Sequence, residues 1–319
     1  MVNYNVSAII VNYNKSLITI ECVNSLLKTQ GVNINIIVVD NSTIQSERQL
    51  LKDALSENAC IICKNENVGY VKGVNSGIAK SLQSVYDYLL ILNNDTIIAP
   101  DAVSNLCLTA QKYNNKCIVS GKVYNIDNPD TLQYIGQWCR SKKKLDYPPY
   151  IDNNNNFDTG QWDKEMEMDM IDDIFWLLPI DLVRNVGFYC EDFFMYGEQN
   201  DYALRAKEKG YKLVYTPTAK IWHYHHLSSD DKESGYPSIQ YWKSYSIFLL
   251  AYRHLSRVDF LYFVVNGLVK SHFSLFKSML KKDKNINIKI ATIRGQYLFL
   301  LWIMKLRSKS INNPYIYKS

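Results

Sequence analysis

Tyr88-Leu89-Leu90-Ile91-Leu92-Asn93-Asn94-Asp95-Thr96 is the stretch that decides the fold. Five apolar residues suit a strand covered on both faces, and two amides and an acid stop it abruptly. The pattern recurs upstream: Val6–Val11 runs into Asn12-Tyr13-Asn14, and Ile34–Val39 runs into Asp40-Asn41-Ser42. Ala59-Cys60-Ile61-Ile62-Cys63 reads as another buried strand. Between strands, Leu17, Ile20, Val23, Leu26 and Leu27 fall at helical spacing within 16–28. Further helices are predicted around 46–55, after the glycine-containing loop that opens 67–82, and from Pro100-Asp101, where proline suits the first turn. Strands alternating with helices imply a parallel, doubly wound α/β sheet. Such sheets bind ligands beyond the carboxyl ends of their strands, where Asn12, Asp40 and Asp95 stand.

The chain has 319 residues, 47% of them hydrophobic, which excludes disordered and collagen-like classes and allows a sizeable core. Charge is unevenly placed. Of 36 Lys+Arg and 31 Asp+Glu, residues 241–319 hold 14 and 2, leaving 22 and 29 for the first 240. The expected organisation is an α/β catalytic domain over 1–240 and a basic, aromatic-rich helical region over 241–319. Residues 126–165, with Lys142–Lys144, Pro148-Pro149 and the run Asn153–Asn156, read as an irregular excursion that covers a site or contacts a substrate. Seven cysteines without framework spacing point to a reducing compartment, and one Cys60-x-x-Cys63 pair lacks the second pair a zinc site needs. No export signal is visible, and apolar runs such as 297–304 fall short of the ~20 residues that span a bilayer. The expectation is a cytoplasmic protein that does not cross a membrane.

Four clusters carry chemistry. Asn93-Asn94-Asp95 offers hard oxygen ligands suited to Mg²⁺ or Mn²⁺, or is simply a strand-end turn. Gly69, Gly73 and Gly77 lie where a loop passes into a helix, allowing close approach of a ligand, though this is neither a dinucleotide fingerprint nor a Walker loop. Glu198, Asp201 and Arg205 share one helical face. They form either a solvated face with an Asp201–Arg205 ion pair or a general base held by a carboxylate–arginine network. His223-Tyr224-His225-His226 holds three of five histidines and supplies either a structural histidine or a metal ligand.

Taken in order, these clusters resemble the family 2 glycosyltransferases, with their GT-A nucleotide-sugar fold: a Rossmann-like mixed sheet with flanking helices. The resemblance rests on Val6–Asn14, Ile36–Ser42, Asn67-Val68-Gly69-Tyr70 with Asn75, Leu92–Thr96, Gly187-Phe188, Glu191–Glu198, Asp201, Arg205, Gly210-Tyr211 and Ile221-Trp222-His223. It is nearest to bacterial rhamnosyl- and galactofuranosyltransferases of surface polysaccharides such as O-antigen or capsule. It implies that Asp40 contacts the nucleobase or ribose, with Asn12 and Tyr13 lining the pocket. Asn67, Gly69, Asn75 and Asn94 would shape the nucleotide and sugar sites. Asp95 would be a direct metal ligand, Asn93 a weaker one, and His223 would complete the coordination. The reaction implied is inverting transfer from a UDP- or dTDP-sugar to a glycan or lipid-linked glycan.

Two departures stand out. Gln199 occupies a position the family often gives to the base, and an amide cannot act as one. Glu198 or Asp201 then takes the role, Glu198 being favoured. Asp172-Asp173 stands where the family usually has a small residue, so Asp173 would reach the sugar pocket. Gln199 also admits a non-catalytic nucleotide-sugar or glycan-binding subunit. A sugar nucleotidyltransferase is disfavoured, since the first strand ends in Asn12-Tyr13-Asn14 rather than a glycine-rich phosphate loop. The tail combines Phe248, Leu249, Tyr252, Phe260, Tyr262, Phe263, Phe273 and Phe276 with Arg253, Arg257, Lys270, Lys277, Lys281 and Lys282. That composition suits an anionic membrane surface at the inner face of the cell, the rivals being a homodimer face or a nucleic-acid contact, with nucleic acid not expected.

Overall fold

The computed structural model describes residues 3–152, 154–224, 235–281 and 286–305. Asn153 and Lys282 therefore lie outside the described residues, as do His225 and His226. The chain divides into two compact units, residues 1–140, 147–189 and 202–225 in one and 141–146, 190–201 and 226–319 in the other.

The first unit opens with β1 (Tyr4–Asn12), α1 (Ser16–Leu26), β2 (Val32–Asp40), α2 (Gln45–Leu55), β3 (Cys60–Cys63), α3 (Gly69–Ser81) and β4 (Tyr88–Asn93). It continues through β5 (Thr96–Ile98), α4 (Ala102–Lys112), β6 (Cys117–Asn125), β7 (Leu132–Tyr134), β8 (Met166–Glu167), β9 (Phe175–Pro179) and α5 (Ile180–Val186). Helix α6 (Glu198–Glu208) leads to the long strand β10 (Lys212–His223). One sheet has the order β3-β2-β1-β4-β9-β6-β10-β5, with β7 on β6 and β8 on β10. β3, β2, β1 and β4 are parallel, as the strand–helix alternation predicts. Beyond β4 the all-parallel reading of the alternation ends: β9 enters antiparallel between β4 and β6, making the sheet mixed, as the family resemblance implies. The chain reaches β9 only after the excursion, so no helical crossover imposes a parallel return.

Both faces of the central strands are buried. Val6, Ala8, Ile10, Ile36, Val38, Leu90 and Leu92 join Val23 and Leu26 of α1 and Val103 and Leu106 of α4 in one apolar cluster. On the other face, Ile9, Ile37, Leu89 and Ile91 are equally enclosed. The residues of α3 explain its glycines. A Cβ on Gly77 would lie 2.3 Å from the Ile9 side chain and one on Gly73 2.9 Å from Val11. Those two glycines let α3 press on β1, which corrects their reading as a ligand-approach loop. β3 is also corrected: it is the sheet edge, with Cys60 and Cys63 exposed rather than buried. In the excursion, buried Lys122 of β6 binds Asp158 at 2.6 Å and Asp163 at 2.5 Å, while Tyr124 donates to Asp158 at 2.5 Å. A lysine this enclosed requires such partners.

The second unit contains α7 (Gly235–His254), α8 (Arg257–Leu280) and α9 (Ile286–Ile303). Trp242, Tyr245, Phe248 and Phe299 are fully buried there. Phe248 meets Phe299 edge-on at 5.8 Å, a favoured aromatic geometry. Among the described residues no helix is long and apolar enough to cross a membrane.

A close strand crossing tests the sheet. β10 breaks register with β6 between Tyr215 and Lys220, and a Cβ on Gly121 would meet the Ala219 carbonyl oxygen at 2.2 Å. Backbone cannot yield as a flexible side chain can. Gly121→Ala is expected to destabilise the protein by about 1–3 kcal/mol, read as a lowered urea midpoint with an unchanged slope. A midpoint equal to wild type would contradict the crossing.

Candidate active site

The carboxyl ends of β1, β2 and β4 are joined by side-chain hydrogen bonds. Asn94 Nδ2 donates to Thr19 Oγ1 at 2.9 Å, and Thr19 Oγ1 donates to Asn12 Oδ1 at 2.8 Å. Asn12 Nδ2 then donates to Asp40 Oδ1 and to Ser42 Oγ, both at 3.0 Å. Asn12, Thr19, Asp40 and Ser42 are fully buried. The Ser42 backbone N–H also donates to Asp40 Oδ1 at 3.0 Å. The other oxygen, Oδ2, is buried without a hydrogen-bond partner, and the nearest cation, Arg48 Nε, stands 4.0 Å away. Arg48 is itself engaged, donating to the carbonyls of Ser42 (2.6 Å) and Lys64. A buried carboxylate oxygen without a hydrogen bond is costly, and Oδ2 has the Arg48 charge at 4.0 Å in place of one.

Antiparallel pairing of β5 with β10 sets Thr96 opposite His223 and so brings His223 to Asp95. His223 Nε2 lies 3.0 Å from Asp95 Oδ1, and Nδ1 lies 2.9 Å from Gln133 Oε1. An amide oxygen only accepts, so Nδ1 carries a proton. Nε2 either donates to Asp95 or, without its proton, shares a cation with it. A separation of 3.0 Å suits two adjacent donors on an ion with bonds of ~2.1 Å. Among the described residues no three His, Cys, Asp or Glu side chains cluster as a metal site. The pair fits a hard cation that takes its other ligands from phosphate and water. Asn93 ends β4, its carbonyl accepting from Thr96 Oγ1 at 2.8 Å.

A third group surrounds Asp173. Tyr70 and Tyr189 hydroxyls both donate to its Oδ2 at 3.1 Å. Asn75 clamps the Tyr189 backbone, donating to its carbonyl at 3.0 Å and accepting from its N–H at 2.9 Å. Asn67 Oδ1 accepts from the Gly69 N–H at 3.0 Å, and Gly69 has φ +85°, a turn that favours glycine. Asn67 and Asn75 thus shape backbone here. Tyr13 is exposed beside β1. Burial pushes the Asp173 carboxyl up to about 7, with the Asp172 charge adding to the rise and the tyrosine hydroxyls opposing it.

In the second unit, Glu198 opens α6 and is buried. Asp201 is fully buried and Oδ1 accepts from Arg253 Nε at 2.6 Å and lies 2.9 Å from His254 Nε2. Arg205, four residues on, donates to the Val186 and Phe188 carbonyls, each at 2.9 Å. Thr19, Gln133, Tyr70 and Tyr189 are site residues that sequence reasoning missed. Only Tyr70, inside the Asn67–Tyr70 motif, carried a local signal.

Residues 7–175 match the profile of the family described as Glycosyl transferase family 2. Over 154 residues the chain is 24% identical to the galactofuranosyltransferase GlfT2 of Mycobacterium tuberculosis (strain ATCC 25618 / H37Rv). That alignment covers 45% of this chain and about a quarter (24%) of the relative. The crystal structure of GalNAc-T7 with UDP, GalNAc and Mn²⁺ superposes with a TM-score of 0.55 at 13% identity, covering 76% of this chain and 50% of that one. This structural likeness speaks to the fold, a GT-A α/β sheet with flanking helices. With the profile spanning more than half of its length, the chain belongs to glycosyl transferase family 2.

Proposed function

We propose that the protein moves a sugar from a UDP- or dTDP-sugar to a hydroxyl of a glycan or lipid-linked glycan, with inversion, in bacterial surface polysaccharide synthesis. The observation that carries the reading is Asp40, whose buried Oδ2 awaits a donor at the same strand ends as the Asp95–His223 pair. A pyrimidine or ribose supplies such a donor. UDP and Mn²⁺ in the GalNAc-T7 structure, and the sugar named for the mycobacterial relative, support the donor class. Asp95 and His223, with Asn93, would hold Mg²⁺ or Mn²⁺, which supplies charge neutralisation to a departing diphosphate.

The chain's own residues do the rest. Asn12 aims Asp40 at the nucleotide, and Gln133 fixes the ring of His223. Glu198 removes the proton of the acceptor hydroxyl as its oxygen attacks the anomeric carbon in line. Asp201, held by Arg253 and His254, positions the first turn of α6. Asp173, with Tyr70 and Tyr189, contributes to selection of the sugar. A second reading, a nucleotide-sugar-binding subunit without turnover, is favoured by Gln199 alone.

Thermal shift of the purified chain with UDP- and dTDP-sugars, with and without Mn²⁺, combined with mass spectrometry of acceptor products, tests the proposal. A donor is expected to raise the melting temperature only with Mn²⁺, and Asp95→Ala to remove that rise. Glu198→Gln is expected to lower kcat by about 10²-fold or more while keeping the donor-induced shift. Wild-type turnover by Glu198→Gln would defeat the base assignment, and binding without any product would favour the subunit reading.

Asp173 makes stability depend on pH. Its folded-state value of about 7 lies above the ordinary 3.8, so the protonated form is favoured by folding. That contribution is complete below about pH 4 and is lost as pH rises through about 7. Asp173→Asn keeps the polar partners and removes the proton. Its melting temperature should therefore gain on wild type steadily from about pH 4 to about pH 7. A constant difference across that window would show that Asp173 titrates normally.

A further inference from the structure

Helix α8 is apolar on two opposite faces. One packs inside the second unit: Phe263 meets Phe248 at 6.2 Å, Phe260 meets Phe299 at 6.1 Å, and Ser271 Oγ donates to Gln296 Oε1 at 2.6 Å. On the other, Val258, Tyr262, Val265, Val269, Phe273 and Phe276 recur at helical spacing and are 52–79% exposed. From Val258 to Phe276 the stripe runs ~27 Å along the 24-residue helix. Lys270, Lys277 and Lys281 run along one flank, with the Lys277 ammonium 4.7 Å from the centre of the Phe273 ring. The one acid of α8, Asp259, accepts from Ser256 Oγ at 2.8 Å and lies 4.0 Å from Lys143 Nζ.

The geometry points to the outer face of α8 as a docking surface for an anionic lipid bilayer, the helix lying in the plane of the headgroups. A long apolar stripe with lysines beside it buries its rings at the acyl boundary while flexible stems carry the ammonium groups to lipid phosphates. Arg257, Asp259, Lys270 and Lys277 keep this helix from spanning the membrane. A second copy paired antiparallel is a poorer occupant, because that two-fold sets the same basic flank against itself. Residues 306–319 are also poorly matched, carrying Arg307, Lys309 and Lys318 and no acid. The inference goes beyond sugar transfer and its test needs no substrate.

The full chain is floated with phosphatidylethanolamine–phosphatidylglycerol vesicles and with phosphatidylcholine vesicles. Wild type is expected to float with the anionic vesicles, to remain behind with the neutral ones, and to be released in about 0.5 M salt. Phe273→Ser with Phe276→Ser, and separately Lys270→Glu with Lys277→Glu and Lys281→Glu, are each expected to cut the bound fraction about tenfold at an unchanged melting temperature. No flotation of wild type, equal flotation with both lipids, or flotation of both variants like wild type would overturn the proposal. A wild-type dimer in sedimentation velocity that the serine variant splits, without vesicle binding, would give the face to a second copy.

Discussion

The amide of Asn12 is the constraint on which the first unit depends. It is fully buried at the end of β1 and uses both ends, accepting from Thr19 and donating to Asp40 and Ser42. No apolar residue could replace it without leaving Asp40 with fewer hydrogen bonds in a dry site, where an ionised carboxylate is expensive. Through Thr19 the same chain reaches Asn94, beside the Asp95–His223 pair. One buried amide thus couples the carboxylate that ends β2 to the loop after β4. Asp40 has one oxygen held by hydrogen bonds and one without, the oxygen on which the proposed nucleotide contact rests.

The second unit has its own anchor. Asp201 is fully buried, and an ionised group there must be paired. Arg253 and His254, adjacent at the end of α7, supply two donors to one oxygen. Replacing Asp201 would strand Arg253 as well as remove an acid, so a loss of activity in such a variant would mix positioning with chemistry. Glu198 is the better probe of proton transfer for that reason.

The strands of the sheet were legible because β1, β2 and β4 are buried on both faces and end in polar residues. An uninterrupted apolar run followed by Asn or Asp is a signal that needs no tertiary information. β3 misled because Ala59–Cys63 has the same apolar composition at an edge, and composition does not report a strand's neighbours. β9 was invisible as an antiparallel insertion, since Phe175–Pro179 carries no mark of direction. Asp95 and His223 were identifiable singly, and their approach follows from β5 pairing with β10, 128 residues apart. Gln133 had no local signal at all: a single glutamine in an irregular segment becomes meaningful only when His223 stands 2.9 Å away. Gly73 and Gly77 carry a weak signal whose ligand reading gives way to packing on β1, because close approach to a ligand and close approach to a strand require the same missing Cβ.

The basic tail was harder to read, because apolar spacing finds a helical face without saying what covers it. Phe248 and Leu249 prove fully buried, whereas Tyr262, Phe273 and Phe276 are exposed. Small residues discriminate between the faces. Gly267 sits where a Cβ would lie 2.9 Å from the Phe248 ring, and Ser278 of α8 is buried while bulky Phe276 and Leu280 beside it are not. In α9 a Cβ on Gly295 would meet the Tyr241 carbonyl at 2.1 Å, so that helix also presents a small residue to its partner. Close helix crossings select small residues, because packing density there leaves no room for large ones. A deformable acyl boundary makes no such demand and accepts rings and branched chains in any rotamer. The Gly-Ser line thus marks the side of α8 packed within its own unit, and the Val-Phe stripe the side that the proposed bilayer would cover.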